Sequence, residues 1–151
     1  MATQIKGPGL FLAQFAGDDA PFNSLKDIVV WAAGLGYKGV QIPTFDARLF
    51  DLEKAADSQT YCDEVKGICA DAGVVITELS THLQGQLVAV NPVYDEAFDA
   101  FAPAHLHGKP DARKDWAIDQ MMRAAVASER LGLSHTVSFT GSLAFPFLYP
   151  W

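Results

Sequence analysis

The stretch "TYCDEVKGICADAGVVITELSTH", residues 60–82, carries the pattern that decides the fold. Its first half repeats apolar side chains at the spacing of one helix face, at Tyr61, Val65, Ile68, Cys69 and Ala72. Gly73 follows, and glycine accepts the left-handed backbone that commonly ends a helix. The next residues, "VVIT", are β-branched throughout and favour a strand. The stretch therefore predicts a helix, a glycine turn and a buried strand.

The same order of elements occurs twice more in the chain. It is found in "SLKDIVVWAAGLGYKGVQIP" (24–43) and in "DWAIDQMMRAAVASERLGLSHTVSFT" (115–140). Ser24 and Asp27 form a start similar to a capping box, and Gly34 or Gly36 and then Gly132 are expected to end the two helices. Since "GLFLAQF" (9–15) reads as a preceding strand, the order is β-α-β-α-β-α-β. Such alternation predicts parallel strands joined by right-handed helical crossovers.

Four such strands fit either a small open sheet or half of an eight-stranded barrel. No G-x-G-x-x-G or P-loop follows any strand, and "GLGYKG" (34–39) precedes a strand, where it reads as a helix stop. Half a barrel leaves the first and fourth strands as edges. It also explains the apolar ending "AFPFLYPW" (144–151) as a segment awaiting a fifth unit. We therefore predict an α/β fold in which residues 1–151 form the first half of a barrel, a single incomplete domain.

The composition and net charge of the chain indicate which kinds of partner the protein binds. The chain has 151 residues, of which 50% are apolar, and carries a net charge of -7 with eleven Lys and Arg. This apolar content can fill a core, while the acidic charge predicts that the protein does not bind nucleic acid. The first fifteen residues fit neither a signal peptide nor a membrane helix, so we expect a cytoplasmic protein without a membrane partner. Cys62 and Cys69, about 10 Å apart on one helix, predict free thiols.

The third strand holds the leading catalytic candidates. Because side chains alternate along a strand, one face is expected to carry Glu78, Ser80 and His82, and the other Thr77, Leu79 and Thr81. A carboxylate and an imidazole near the carboxyl end of a parallel strand are typical of an active-site wall in a barrel. We predict Glu78 and His82 as catalytic. The alternative is that Glu78 forms hydrogen bonds inside the barrel mouth and that His82 caps the strand.

Neutral polar side chains lie at similar positions along the predicted strands, and they indicate the class of substrate. The set comprises Gln14 on the first strand, Gln41 and Thr44 on or after the second, Ser80 on the third, and Ser138 and Thr140 on the fourth. Amides and hydroxyls around a mouth suit a ligand with many hydroxyls and few charges. We therefore predict that these residues bind a sugar or polyol, although each alone also fits a purely structural role.

The two long connections, residues 43–59 and 83–112, follow strands, on the side where α/β proteins build their sites. The second contains His105 and His107, followed by Asp111. Such a pair can ligate a metal, but no third ligand is identified, so no metal ligand is predicted. His135 lies at the start of the predicted fourth strand. Because this is the end opposite the site, we interpret His135 as structural. No G-x-S-x-G motif is present.

Three segments resemble the sugar phosphate isomerase/epimerase family, whose fold is the xylose isomerase-like TIM barrel. They are "GYKGVQIPTFDARLFDL" (36–52), "ITELSTHLQGQLVAVNP" (76–92) and "LGLSHTVSFTGSLAFPFLYPW" (131–151). The resemblance covers nearly the whole chain. It implies a parent of roughly 250 residues or more, of which this chain is the amino-terminal half.

The resemblance also implies the chemistry. In the family a divalent metal, usually magnesium, manganese or zinc, is held by acidic and histidine residues of the later strands, and a carboxylate moves a proton beside a carbonyl. His82 looks like the substrate-side histidine, and Glu78 and Gln41 look like mouth residues. Because the later strands are absent, no metal ligand is carried over. This half is expected to be inactive alone and to need the remaining half of the barrel.

Two readings from other classes stay open. One is a non-catalytic half-barrel that self-associates with a second copy through its exposed edges, as an assembly module. The other is an open sheet that binds a small molecule. Other enzymes with this barrel act as dehydratases or cut abasic DNA, so the fold does not fix the reaction.

Overall fold

The computed structural model describes residues 6–144 and contains one sheet of parallel strands in the order β1-β2-β3-β4. The strands are β1 (Gly9–Phe11), β2 (Gly39–Pro43), β3 (Val75–Thr81) and β4 (Thr136–Ser138). The helices are α1 (Leu25–Gly34), α2 (Leu52–Asp57), α3 (Gln59–Asp71), α4 (His82–Gln86), α5 (Asp95–Phe98) and α6 (Pro110–Leu131). The predicted α/β class, with parallel strands in chain order, is confirmed. The apolar ending, from residue 145 onward, lies outside the described residues.

The predicted helix stops are confirmed. Gly36, Gly73 and Gly132 have φ angles of 92°, 75° and 76°, in the left-handed region that favours glycine. At the start of α1, Ser24 Oγ accepts a hydrogen bond from the backbone N–H of Asp27 at 3.4 Å, as the capping pattern predicted. These local signals predict the positions of the strands correctly, because the next strand begins shortly after each helix stop.

Two helices begin earlier than predicted. Helix α3 begins at Gln59 and is capped by Ser58, whose Oγ accepts from the backbone N–H of Tyr61 at 3.2 Å, so the helix begins one residue before the stretch 60–82. Helix α6 begins at Pro110 instead of near Asp115. Proline at the first helical position lacks only an N–H that would have no partner inside the helix, so it suits a helix start.

The first and fourth strands are shorter than predicted, which removes two candidate residues from the sheet. After Phe11 the chain turns into a 3-10 helix at Leu12–Gln14, where Leu12 O accepts from the N–H of Phe15 at 2.9 Å. Gln14 is therefore exposed on a turn, and its predicted place on β1 is wrong. Strand β4 ends at Ser138, so Thr140 is also exposed and outside the sheet.

The described residues form two compact units. The first comprises residues 6–80 and Arg123–Thr136. Its core packs strand side chains against helix side chains, with Val40, Ile42 and Leu79 from the sheet and Ile28, Val29, Val65 and Leu131 from the helices. Burying an aliphatic side chain of this size stabilises a fold by about 1.5–3 kcal/mol. Cys62 and Cys69 are buried in the same core as free thiols, as predicted.

The second unit comprises Thr81–Met122 and residues 137–144. The connection predicted as a long loop is instead a series of short helices, which includes α4, α5 and three 3-10 turns. Its core is built from Leu87, Phe98 and Ala117, which are all at most 5% exposed. Partly buried aromatic rings surround these side chains, at Tyr94, Phe101 and Trp116. A connection with its own apolar core holds a fixed shape.

Gly85 allows α4 to approach the chain after β4 closely. A Cβ at this position would overlap the carbonyl oxygen of Phe139 and the Oγ of Ser138. We expect Gly85→Ala to lower the free energy of unfolding by about 1–3 kcal/mol, the usual cost of overpacking. Gly67→Ala is the matched control, because a Cβ there meets nothing within 4 Å on α3 and should stabilise the helix by about 0.5–1 kcal/mol. Urea unfolding measures both, and equal stabilities would contradict the close approach.

Candidate functional site

A polar cluster in the first unit is centred on Glu78. Gln41 Nε2 donates a hydrogen bond to Glu78 Oε1 at 2.6 Å. On the other carboxylate oxygen, His135 Nε2 lies 3.4 Å from Glu78 Oε2. The Glu78 side chain is 18% exposed and that of His135 is 62% exposed. The structure therefore brings two predicted site residues together and adds His135, which the sequence had placed at the far end with only a structural role.

A bulge in β3 sets the direction in which Glu78 points. Val40 is paired with Ile76, but Gln41 is paired with Glu78, so Thr77 is an extra residue in the ladder. A Cβ at Gly39 would lie only 2.6 Å from the Thr77 methyl group, so the bulge depends on glycine at that position. Thr77 consequently points to the same face as Glu78. The predicted strict alternation of Thr77, Leu79 and Thr81 against Glu78 is wrong at this point.

The predicted residues at the end of β2 and β3 contact one another through the backbone. Thr44 is buried, and its N–H and Oγ1 both donate to the carbonyl oxygen of Ser80, at 3.0 and 3.1 Å. The Ser80 Oγ is fully buried and has no hydrogen-bond partner among the described residues. Thr44 thus extends the pairing of two strands beyond the ladder, which is a structural role.

His82 belongs to the second unit and is the first residue of α4, because β3 ends at Thr81. Its ring lies edge-on to that of Phe139, with centroids 4.7 Å apart and an interplanar angle of 80°. Burial lowers the pKa of His82, since desolvation disfavours the charged imidazolium. Burial thus favours the neutral imidazole of this residue, which is the form that can accept a proton.

The last residues of β3 and β4, which belong to the second unit, both carry hydroxyl groups. Thr81 Oγ1 donates to Ser138 Oγ at 2.7 Å, and Ser138 Oγ donates to the carbonyl oxygen of Phe139 at 2.8 Å. Both oxygens also lie within 3.3 Å of the Met121 sulfur. Ser138, a predicted substrate-binding residue, is thus fixed by its neighbours, and Phe139 is placed against His82 by the same chain of contacts.

The segment after α4 is anchored by a buried arginine that the sequence analysis missed. Arg113 is 1% exposed, and its guanidinium contacts Asp95 Oδ1 at 2.6 Å and Asp99 Oδ1 at 2.5 Å. Its Nε has no hydrogen-bond partner among the described residues. No local pattern distinguishes this arginine from Arg123 and Arg130, which are only partly buried on the same helix, because its burial comes from the fold of the preceding connection.

A second arginine links two loops that follow strands in the first unit. Arg48 forms a two-pronged ion pair with Asp46, with contacts of 2.7 and 2.9 Å, and its Nη1 lies 2.8 Å from Asp18 Oδ1. The side-chain hydrogen bonds from Arg48 lower the pKa of Asp46. Both loops follow the carboxyl ends of their strands, so this contact shapes the side of the sheet where parallel-strand proteins place their sites.

No group of three or more His, Cys, Asp or Glu side chains within residues 6–144 is placed to bind an ion. His107 Nε2 lies 3.1 Å from the carbonyl oxygen of Ala102, and Lys109 donates to the carbonyl oxygen of His105. These contacts tie the two loop histidines to their own segment.

Comparison with known proteins decides the family. Residues 29–148 match the family described as the xylose isomerase-like TIM barrel. The chain belongs to that family. The match supports a function similar to that of sugar isomerases and epimerases at a coarse level, and it suggests a small sugar as substrate. Members of the family are often metal-dependent.

None of the curated proteins matches the sequence. Within residues 6–144, no helix has the length and apolar character needed to cross a membrane.

The environment of His82 leads to a titration experiment. Removing the Phe139 ring opens the imidazole to water, so we expect Phe139→Ala to raise the pKa of His82 toward the usual value of about 6.5. Leu143→Ala is the control, since Leu143 is 61% exposed on the same segment. NMR titration of the histidine ring protons measures the change. A His82 pKa that does not move in Phe139→Ala would show that this ring does not cause the desolvation.

The contacts of Asp99 predict that the stability of the second unit falls at acidic pH. The Gly108 N–H, which donates to Asp99 Oδ2 at 2.8 Å, and then Arg113 lower the pKa of Asp99. Because the folded pKa lies below the unfolded value of about 3.9, this contribution to stability is present above that pH and is lost as the pH falls through the folded pKa.

We expect Asp99→Asn to reduce the dependence of unfolding free energy on pH below about 4. Asp115→Asn, on the exposed part of α6, is the matched control. Urea unfolding at a series of pH values measures the slope. An Asp99→Asn slope equal to that of the unsubstituted protein would contradict the assignment.

Proposed function

We propose that the protein takes part in the isomerisation or epimerisation of a sugar or polyol, by moving a proton on a carbon beside a carbonyl. Family membership supports the reaction class at a coarse level. The observation that carries the proposal is His82, a partly buried histidine directly after β3 whose pKa is lowered by desolvation. A neutral imidazole is an effective general base near pH 7.

In the proposed reaction, His82 takes the proton from the carbon beside the carbonyl, and the electron pair of that C–H bond moves toward the carbonyl oxygen. Return of the proton to the former carbonyl carbon, while the hydroxyl on the deprotonated carbon gives its proton to the former carbonyl oxygen, yields isomerisation. Return to the opposite face of the same carbon requires a second proton donor and gives epimerisation. Glu78 is proposed as the catalytic carboxylate. A divalent metal, when bound, supplies an electrophile for the developing negative charge; we place its ligands largely outside this chain.

Substrate recognition is proposed to rest on neutral groups. Gln41 on β2 and Ser80 on β3, both in the first unit, offer an amide and a buried hydroxyl. Ser138 offers a hydroxyl in the second unit. Gln14, Thr44 and Thr140 stay proposals with weaker support, because Gln14 and Thr140 lie outside the sheet and Thr44 is occupied by the Ser80 carbonyl. Hydroxyl-rich substrates present acceptors and donors for all these groups.

We also propose that the four strands are the amino-terminal half of a closed barrel and that this half is inactive alone. In the described sheet, β1 and β4 are the two outer strands. Helix α6 carries Ile118, Met122 and Val126, four residues apart and 42%, 63% and 40% exposed. A helix in a barrel packs against a helix on each side, so a further βα unit would cover this apolar stripe. The cytoplasmic location stays a prediction.

Proton exchange provides the test. The natural protein that contains this sequence is incubated in D2O with Mg²⁺ or Mn²⁺ and a panel of ketoses and aldoses, and NMR follows deuterium uptake beside the carbonyl. We expect uptake for at least one sugar, and His82→Gln should slow it by about 100-fold or more, the usual contribution of a general base. The 151-residue chain should show no uptake.

His105→Gln is the matched control, because His105 lies in an exposed 3-10 turn of the same unit. Equal rates for the natural protein and His82→Gln would remove His82 from the mechanism. No exchange with any sugar would contradict the proposed reaction class. Full exchange by the 151-residue chain would contradict the proposal that this half is inactive.

A further inference from the structure

The contact between His135 and Glu78 has an unusual length for a hydrogen bond. An N–H···O hydrogen bond is typically 2.7–3.2 Å between heavy atoms, whereas His135 Nε2 and Glu78 Oε2 are 3.4 Å apart. In tetrahedral zinc sites the Zn–N and Zn–O bonds are about 2.0–2.2 Å, which separates two ligand atoms by about 3.4 Å. The two atoms are therefore spaced as two ligands of one ion.

Each of the two side chains is also held by a partner on its other polar atom. Glu78 Oε1 accepts from Gln41 Nε2 at 2.6 Å. His135 Nδ1 lies 3.0 Å from Ser134 Oγ, which can accept the Nδ1 proton and leave the Nε2 lone pair directed at Glu78. Metal-binding histidines and carboxylates are characteristically oriented by such outer contacts. Gln41 and Ser134 are thus in the places that supporting groups of a metal site occupy.

Access to the pair is open. On the His135 side of the pair, Ser134 and His135 line a cavity of about 510 Å³ together with Lys66, Val74 and Leu133. Glu78 is reached from this cavity through His135 and is not part of the cavity wall itself. The His135 side chain is 62% exposed, so water molecules can complete the coordination of an ion. The acidic net charge of the chain, -7, favours the approach of cations.

We propose that Glu78 and His135 form a two-ligand site for a borderline divalent cation, of which Zn²⁺ and Co²⁺ are representative. Imidazole nitrogen with carboxylate oxygen is a donor set suited to these ions. The site lies within the first unit, at the residues that precede β4 and at the bulge of β3. It does not depend on sugar isomerisation, since both ligands and both supporting residues are in the described chain.

The test measures binding of Co²⁺ and Zn²⁺ to the 151-residue protein without a tag. Co²⁺ should bind at one equivalent and give visible d–d absorption bands, and Zn²⁺ should displace it. Glu78→Gln and His135→Ala should each weaken binding at least tenfold. Ser134→Ala keeps both ligands and should weaken binding about tenfold, as loss of a supporting contact does.

Two controls separate this site from other donors. His105→Ala and Cys69→Ala should leave the affinity unchanged, although Cys69 lines the same cavity. NMR of the unsubstituted protein needs no variant, and Zn²⁺ should shift the His135 ring signals before those of the other three histidines. Absence of saturable binding, unshifted His135 signals, or binding that survives both ligand substitutions would overturn the proposal, as would loss of binding in Cys69→Ala.

Discussion

The extra residue in β3 is the constraint on which the candidate site depends. Thr77 interrupts the register between β2 and β3, and the absence of a side chain at Gly39 leaves room for it. After the bulge, Glu78 is paired with Gln41 instead of Ile42. A one-residue shift moves every later side chain to the other face of a strand. Without the bulge, the carboxylate of Glu78 would point into the apolar layer, where an unpaired charge is costly.

The second unit contains a long connection that is held in a fixed shape. Its short helices are individually too brief to be stable in water. They are held by a small apolar core and by Arg113, whose charge is balanced by Asp95 and Asp99. Breaking a buried pair is far more costly than forming it is favourable, so this cluster specifies one arrangement of the segment. That arrangement includes His82 and Phe139, and so couples the anchor to the candidate base.

The prediction from sequence succeeded where the signal is local and failed where it is not. Helix periodicity and the stops at Gly36 and Gly73 identified the helices and the following strands, because each depends on neighbouring residues. The bulge at Thr77 lies between strands whose paired residues Gln41 and Glu78 are 37 positions apart, and His135 is 57 positions from Glu78. No local pattern encodes either contact. Gln14 was misplaced because a 3-10 turn and a strand end share the same apolar composition.

We propose that these strands are part of a larger closed barrel of the xylose isomerase-like family. The intact mass of the natural protein that contains this sequence tests this proposal. We expect a product of at least about 250 residues, enough for eight βα units, with further strands after Ser138. A natural product of 16.3 kDa, the mass of the 151-residue chain, would contradict it.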